Sequence, residues 1–152
     1  MRRSDTDYMA LALEEAHKTA DRGEVPIGAV LVHSETGLVI TGGNNTITKS
    51  DPTAHAEIEI IREGCRKAGA QRIPEYDLYV TLEPCAMCAG AISFARIRRL
   101  VFGAIDPKGG GVLHGGKLYD QPTCHHKPEI IYLPTAECGQ ILKDFFLARR
   151  GE

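Results

Sequence analysis

The sequence predicts an α/β fold, because apolar segments with helical spacing alternate along the chain with short segments rich in β-branched residues. A strand, a helix and a further strand follow one another closely in its middle, as in a parallel crossover unit. The chain has 152 residues, 43% of them hydrophobic, which is the size and composition of one folded core. We therefore expect a single domain over residues 1–152.

The first elements are predicted to be a helix and a hairpin. Residues 4–23 have a serine cap, Asp7 three residues later and apolar residues at helical spacing. Residues 25–32 and 38–40 are apolar and β-branched, and the polar segment 34–37 between them offers a turn. These two segments therefore predict a pair of adjacent antiparallel strands.

The second helix is predicted to follow a polar, glycine-rich loop. Asp51 is a capping residue and Pro52 suits the first helical position, which would put His55 in the first turn of this helix. The apolar segment 77–82 then predicts a buried strand.

The remaining chain predicts one more crossover and a final helix. Pro84 is expected to begin the third helix, and residues 98–104 to form a strand parallel to the one before it. The glycine-rich segment 106–128 is long for a connection in a compact domain, and loops of this length often bind ligands. Residues 129–133 predict a last strand and residues 134–150 a last helix.

The cysteines and the start of the chain indicate a cellular compartment. The first residues are polar and no uninterrupted apolar run follows, so we expect neither a signal peptide nor a membrane span. The number of cysteines is odd, and Cys65, Cys124 and Cys138 are scattered, which is not typical of a disulfide framework. We therefore expect a cytoplasmic protein.

Two short motifs predict a metal site. Cys85 and Cys88 are three residues apart at a predicted helix start, so both sulfurs can reach one ion, and His55 can complete a set of three ligands. Three protein ligands with one open position are typical of a catalytic zinc, because the open position holds a reacting water. Glu57 lies two residues after the histidine and is expected to act on that water as a proton shuttle. This chemistry suits hydrolytic deamination of a nucleobase.

The combination of His-x-Glu with Pro-Cys-x-x-Cys is the signature of the zinc-dependent nucleobase and nucleoside deaminases. Within that superfamily, residues 25–30, 51–57 and 81–91 resemble the bacterial tRNA-specific adenosine deaminases, and the likeness runs from about Tyr8 to Arg150. This resemblance implies a three-layer α/β/α cytidine deaminase-like fold, with a mixed five-stranded sheet and helices on both faces. It also implies a hydrolase that converts the wobble adenosine of a tRNA anticodon loop to inosine. A homodimer with one zinc ion per subunit is implied as well.

The resemblance assigns roles to individual residues. It implies that His55, Cys85 and Cys88 bind zinc, that Glu57 shuttles protons, and that the amide of Asn44 holds the flipped base. A turn-forming role is the alternative for Asn44.

The resemblance further implies substrate contacts near the end of the chain. Asp106 would bind a ribose hydroxyl and Lys108 a phosphate, although Asp106 also suits a cap at a strand end. Phe145, Phe146, Arg149 and Arg150 match the last helix of the family, which contacts the RNA. A plain core position is the alternative for either phenylalanine.

Three further features leave more than one interpretation open. The segment 96–127 contains six basic and two acidic residues in a chain of net charge −2, which indicates either a phosphate-binding surface or a solvated one. Cys124, His125 and His126 are consecutive and are not expected to hold a second metal; they either line the RNA side or are polar loop residues. Glu83 is expected to be a supporting carboxylate rather than a second catalyst.

Two other functions compete with RNA editing. A deaminase of free cytosine or guanine would use the same zinc motif, and a closed aromatic lid over the pocket would favour it. An open basic groove would favour RNA. A non-catalytic zinc-stabilised binding domain is the third hypothesis, and it requires a fourth protein ligand or a blocked pocket.

Overall fold

A five-stranded sheet forms the centre of the computed structural model, which describes residues 3–150. Met1, Arg2, Gly151 and Glu152 lie outside the described residues, and with them part of the expected polar start. The elements are α1 (Asp5–Asp21), β1 (Gly28–His33), β2 (Val39–Gly43), α2 (Ala56–Ala68), β3 (Tyr76–Val80), α3 (Ala86–Phe94), β4 (Arg99–Phe102), a short 3₁₀ helix (Leu118–Asp120), β5 (Glu129–Tyr132) and α4 (Ala136–Arg150).

The sheet is mixed, in the order β2-β1-β3-β4-β5. β1 is antiparallel to both β2 and β3, whereas β3, β4 and β5 are parallel to one another. The predicted hairpin and the predicted parallel crossover are both confirmed. The carboxyl ends of the parallel strands therefore meet the start of β1 at one edge of the sheet, where the polar loops follow.

Each face of the sheet has its own core because side chains alternate along a strand. Leu31, Leu78 and Leu100 pack with α2 and α3 on one face. Tyr79 and Val101 pack with α1 and α4 on the other face. This confirms the three-layer α/β/α arrangement.

The predicted start of α1 is confirmed, whereas α2 begins later than predicted. Ser4 caps α1 and forms a capping box with Asp7. Asp51 caps no helix; its Oδ1 instead accepts hydrogen bonds from the backbone nitrogen and the hydroxyl of Thr53, at 2.8 and 2.7 Å. This local turn uses up the capping oxygen, and α2 begins only at Ala56, with His55 as its N-cap.

Several strands are shorter than predicted. Residues 25–27 precede β1, because Pro26 has no N–H and the nitrogen of Ile27 bonds to the carbonyl of Val25 in a tight turn. β3 ends at Val80, two residues before the predicted end. Among residues 3–150, no helix is long and apolar enough to cross a membrane.

Candidate active site

Three potential metal ligands come together at the starts of two helices. The ligand atoms of His55, Cys85 and Cys88 all lie within 4.8 Å of one another. His55 Nδ1 is 3.6 Å from Cys85 Sγ and 3.5 Å from Cys88 Sγ. Zinc bonds of about 2.0 Å to nitrogen and 2.3 Å to sulfur give a tetrahedral nitrogen–sulfur edge of about 3.5 Å. The geometry and the donor atoms of this group therefore fit one zinc ion.

The fold brings these ligands together because α2 and α3 lie on the same face of the sheet. His55 is the N-cap of α2 and Cys85 is the N-cap of α3, and Cys88 lies in the first turn of α3. The sequence predicted His55 and Cys85 within the first turns of these helices, whereas each residue directly precedes its helix. The pKa of Cys85 is lowered to about 5, mainly by a hydrogen bond from the Cys88 thiol. The backbone N–H of Cys88 and the side chain of His55 lower it as well, and together these contacts outweigh the effect of burial. The sulfur of Cys85 is thus prepared to act as a thiolate ligand.

Glu57 lies beside this group without belonging to it. Glu57 is 4% exposed and lies in the first turn of α2. Burial, together with the negative charge of Cys85, raises the pKa of Glu57 to about 7. The backbone N–H of Glu57, the charge of His55 and a hydrogen bond from Cys88 act in the opposite direction and only partly offset this increase. A carboxyl group with a pKa near neutrality can both accept and return a proton.

Asn44 contacts the start of α2 from another loop. It is 6% exposed, and its Oδ1 accepts a hydrogen bond of 2.8 Å from the backbone nitrogen of Ala56. The N–H donor identifies this atom as the oxygen of the amide. No residue of the described part of the chain accepts a hydrogen bond from its Nδ2, which is therefore left to donate to a ligand.

Glu24 holds the loop that carries Asn44. Its buried carboxylate accepts hydrogen bonds from the backbone nitrogens of Ile47 and Thr48, at 3.1 and 2.7 Å, and from the Thr48 hydroxyl at 2.7 Å. Burial alone would raise the pKa of Glu24, but these hydrogen bonds outweigh burial and lower it below its ordinary value of 4.5. No local pattern in the sequence predicts this role, because the hydrogen-bond partners of Glu24 lie more than twenty residues further along the chain.

A groove of about 850 Å³ lies between α4 and the loop after β4. Leu82 and Ala104 reach it just beyond the ends of β3 and β4, so it opens at the sheet edge where Cys85 precedes α3. Asp106 and Lys108, to which the resemblance gives substrate contacts, both line it. The other residues that line it are Val25, Ile27, Ile105, Pro107, Gly139, Leu142, Lys143, Phe146, Leu147 and Arg150.

Asp106 has a structural task in addition to its place in the groove. Its Oδ1 accepts hydrogen bonds from the backbone nitrogens of Lys108 and Gly109, at 3.2 and 2.9 Å. The carboxylate thus closes a turn that holds Lys108 at the groove. The interpretation of Asp106 as a local cap and its interpretation as a substrate contact are compatible.

Phe145 and Arg149 do not line the groove. The Arg149 guanidinium lies 4.3 Å from the centre of the Phe145 ring, and its Nη2 donates a 2.9 Å hydrogen bond to the carbonyl of Gly23. These contacts hold α4 against the segment that follows α1. Lys143, Phe146 and Arg150 face the groove instead, at a spacing of three, four and seven residues along one helix. The resemblance had already pointed to Phe146 and Arg150, and this spacing is the signal that would have added Lys143.

Most of the predicted basic segment does not reach the groove. The guanidinium of Arg98 bonds to the buried Asp77 at 2.8 and 2.7 Å, and Arg99 bonds to Asp5 at 2.9 Å. Arg99 begins β4 and Arg98 directly precedes it, at the opposite edge of the sheet from Cys85. The phosphate-binding interpretation is therefore wrong for these two residues, because the direction of the strand determines where their charge lies.

The Cys124-His125-His126 segment is tied to the other end of α3. Ser93 Oγ donates a 2.7 Å hydrogen bond to the carbonyl of His126, and the ring nitrogen Nε2 of His126 lies 2.8 Å from the carbonyl of Ile97. The thiol of Cys124 donates to the same His126 carbonyl at 3.2 Å. These bonds give the segment a structural role as part of the loop before β5.

Comparison with known proteins agrees with this geometry. Residues 2–104 match the family model of the cytidine and deoxycytidylate deaminase zinc-binding region. The chain is 53% identical over 146 residues to the tRNA-specific adenosine deaminase of Agrobacterium fabrum, with 95% of each chain covered. A solved structure from studies of A-to-I editing by tRNA:A34 deaminases at the wobble position has a TM-score of 0.86 and 56% identity, covering 90% of this chain and 99% of that one. The solved guanine deaminase of Bacillus subtilis has a TM-score of 0.65 and 28% identity, covering 97% and 95%.

Proposed function

The chain belongs to the zinc-binding cytidine and deoxycytidylate deaminase family, and we propose from this premise that it deaminates the wobble adenosine of a tRNA anticodon loop to inosine. The observation that carries the chemistry is the buried carboxyl of Glu57 beside the group of His55, Cys85 and Cys88. The substrate follows from the higher identity to tRNA deaminases than to a guanine deaminase. The reaction consumes one water and releases one ammonia.

The zinc ligands and Glu57 divide the catalytic work. A zinc ion held by His55, Cys85 and Cys88 supplies, when bound, the Lewis acid that lowers the pKa of the reacting water. Glu57 accepts a proton from that water while the water oxygen bonds to C6 of adenine, and it delivers this proton to N1 of the ring. Glu57 then transfers the remaining proton of the new C6 hydroxyl to the exocyclic amine, and the C6–N bond breaks with release of ammonia and formation of the C6 carbonyl of inosine. Its burial keeps bulk water from competing for these protons.

Asn44 orients the base in this proposal. Because its oxygen is engaged by the backbone nitrogen of Ala56, its Nδ2 donates to a ring nitrogen of the base. A residue whose amide is held by the start of α2 keeps a constant position relative to His55 and Glu57, which belong to the same helix start. Such preorganisation places C6 next to the reacting water.

The groove would receive the nucleotides next to the wobble position. Phe146 is 45% exposed and offers a surface on which a base can stack, and Lys108, Lys143 and Arg150 can meet phosphates. Asp106 can accept a hydrogen bond from a ribose hydroxyl. The groove is open and carries three cations and one aromatic ring, whereas a closed aromatic lid would have favoured a free base. Phe145 and Arg149 are proposed to support RNA binding by holding α4 in place.

We further propose a homodimer formed through α3. Met87, Gly90, Ala91 and Phe94 follow one another at helical spacing on a side of α3 that is partly or fully open to solvent, and Phe94 is 77% exposed. An apolar helical stripe of this kind is typical of an interface. Light scattering of the protein and of Phe94→Asp tests this: a change from dimer to monomer supports it, and an unchanged dimer places the interface elsewhere.

Two coarser expectations complete the proposal. Residues 1–152 are proposed to act as one domain, since both cores pack on the same sheet. A cytoplasmic location is proposed because a site with two thiolates, in a chain whose cysteines are all free, suits a reducing compartment.

The decisive experiment offers the purified zinc protein an anticodon stem-loop with a wobble adenosine and, separately, free adenine, cytosine and guanine. Inosine formation and ammonia release are measured. We expect turnover of the stem-loop alone. Turnover of a free base with an untouched stem-loop would overturn the RNA substrate and retain the zinc chemistry, and no turnover of any substrate with a full zinc site would favour a binding domain.

A further inference from the structure

Glu83 is a fully buried carboxylate with five hydrogen-bond donors around it. Its Oε1 accepts from the backbone nitrogen of Asp106 at 3.0 Å and lies 2.8 Å from the ring nitrogen Nδ1 of His114. Its Oε2 accepts from the backbone nitrogens of Val112, Leu113 and His114, at 3.2, 2.9 and 3.1 Å. Every donor belongs to the segment 106–114, so this one side chain organises the whole segment.

The same segment is packed closely against the start of α3. A Cβ added to Gly110 would lie 2.3 Å from Glu83 Oε2, and one added to Gly111 would lie 2.7 Å from the backbone nitrogen of Ala86. The backbone nitrogen of Gly111 also bonds to the carbonyl of Pro84 at 2.8 Å. The glycines therefore allow an approach that side chains would prevent.

This arrangement links two parts of the site. Glu83 lies two residues before Cys85, at the start of the motif that provides two metal ligands. The segment that it holds begins with Asp106 and carries Lys108, both of which line the groove. The contacts of this carboxylate therefore contribute to the distance between the groove and the metal group.

We propose that Glu83 is a positioning residue, which fixes the segment 106–114 against the start of α3 and so sets where the RNA backbone at Lys108 lies relative to the metal group. This inference rests on the proposed RNA substrate. Glu83 itself has no contact with the groove, because all its oxygen positions are used by the segment. Its effect on the substrate passes through Asp106 and Lys108.

The Glu83→Gln variant tests this proposal because it keeps the shape but places an amide N–H₂ against backbone N–H donors. The measurement is the affinity of the zinc-loaded protein for a labelled anticodon stem-loop over a range of salt concentrations, in a Glu57→Gln background that prevents turnover. We expect Kd to rise about tenfold, as for the loss of a hydrogen bond to a charged group. We also expect the slope of log affinity against log salt to shrink by about 0.7, the value for one lost phosphate contact.

Lys108→Ala and Glu24→Gln are the matched controls. Lys108→Ala should reduce the slope by the same amount, and Glu83→Gln should reduce it no further in the Lys108→Ala protein. Glu24→Gln removes an equally buried carboxylate that holds the other loop, residues 46–48, and should leave the slope unchanged. A general loss of stability would not separate the two carboxylates in this way.

Three results would overturn the proposal. These are a normal slope and affinity in Glu83→Gln, loss of zinc from that variant, and an effect that adds to that of Lys108→Ala. If Glu83→Gln does not fold, His114→Ala removes one of the five donors and tests the same contact. We expect a smaller loss of affinity and a smaller decrease of the slope in this variant. No change in either quantity would overturn the proposal. Failure of the wild-type protein to deaminate the stem-loop would instead count against the proposed function.

Discussion

The amide oxygen of Asn44 accepts a hydrogen bond from the backbone nitrogen of Ala56, the first residue of α2, at 2.8 Å. A residue proposed to bind the base thus also accepts a hydrogen bond from the first turn of the helix that follows His55 and carries Glu57. Base orientation and the position of the proton shuttle are therefore coupled through one side chain.

Replacing Asn44 separates its two tasks. Asn44→Asp keeps an acceptor for Ala56 at a helix start, where a negative charge is favourable, but removes the N–H₂ donor. We expect kcat/KM for the stem-loop to fall about 10- to 100-fold with little change in Tm. Asn44→Ala removes both the acceptor for Ala56 and the N–H₂ donor, so it should lower Tm as well. Equal activity of Asn44→Asp and wild type would show that the donor has no role.

Glu57→Gln tests the proton shuttle. The amide has nearly the shape of the carboxyl group but cannot accept and return protons, so turnover should fall about 1,000-fold. Zinc content, measured on the same sample, should remain at the wild-type level because Glu57 is not one of the grouped ligands. Retention of more than a tenth of the activity would assign the shuttle to another group.

The lowered pKa of Glu24 predicts how the free energy of unfolding depends on pH. Its folded-state pKa lies below the ordinary value of 4.5, so its ionised form stabilises the folded protein above that pH, and this contribution is lost as the pH falls through the lowered pKa. Glu24→Gln should lower the stability by about 1–3 kcal/mol at neutral pH. The Tm difference between the two proteins should be constant from pH 6 to 8 and shrink below pH 4.5. A difference that grows in acid would contradict the assigned hydrogen bonds.

Phe146 and Phe145 form a matched pair for the groove. Phe146 lines it and is 45% exposed, so Phe146→Ala should raise KM for the stem-loop about 5- to 100-fold with little effect on Tm. Phe145→Ala should lower Tm through its contact with Arg149 and change KM less. A larger KM effect at Phe145 would support the contact predicted from the sequence.

Local patterns in the sequence predicted those helix starts and metal ligands that depend only on residues close together in the chain. The capping box of Ser4 and Asp7 lies within four residues, and the spacing of Cys85 and Cys88 on a helix start needs no knowledge of the rest of the fold. Asp51 shows the limit of such patterns, because the same side chain serves a helix cap or a two-residue turn, and only its bonds to Thr53 decide between them.

The contacts and side-chain positions that could not be predicted depend on residues far apart in the chain. Glu24, Glu83 and Asn44 act on loops or helices that begin 12 to 23 residues away, and no periodicity records such contacts. The position of Arg98 and Arg99 depends on strand direction within the assembled sheet. A count of charges along the chain therefore overestimated how much positive charge faces the substrate.

The separation of the two sheet edges has a practical consequence for experiments on this protein. The turn between β1 and β2 lies at the edge that holds Arg98 and Asp77, opposite the metal group, since Val32 pairs with Asp77. Gly37 in that turn has a φ of 76°, and an added Cβ would meet nothing within 4 Å. A fluorophore or a fused protein attached at residues 35–36 would project away from the groove and the metal group, so this turn is the place to join the enzyme to a carrier.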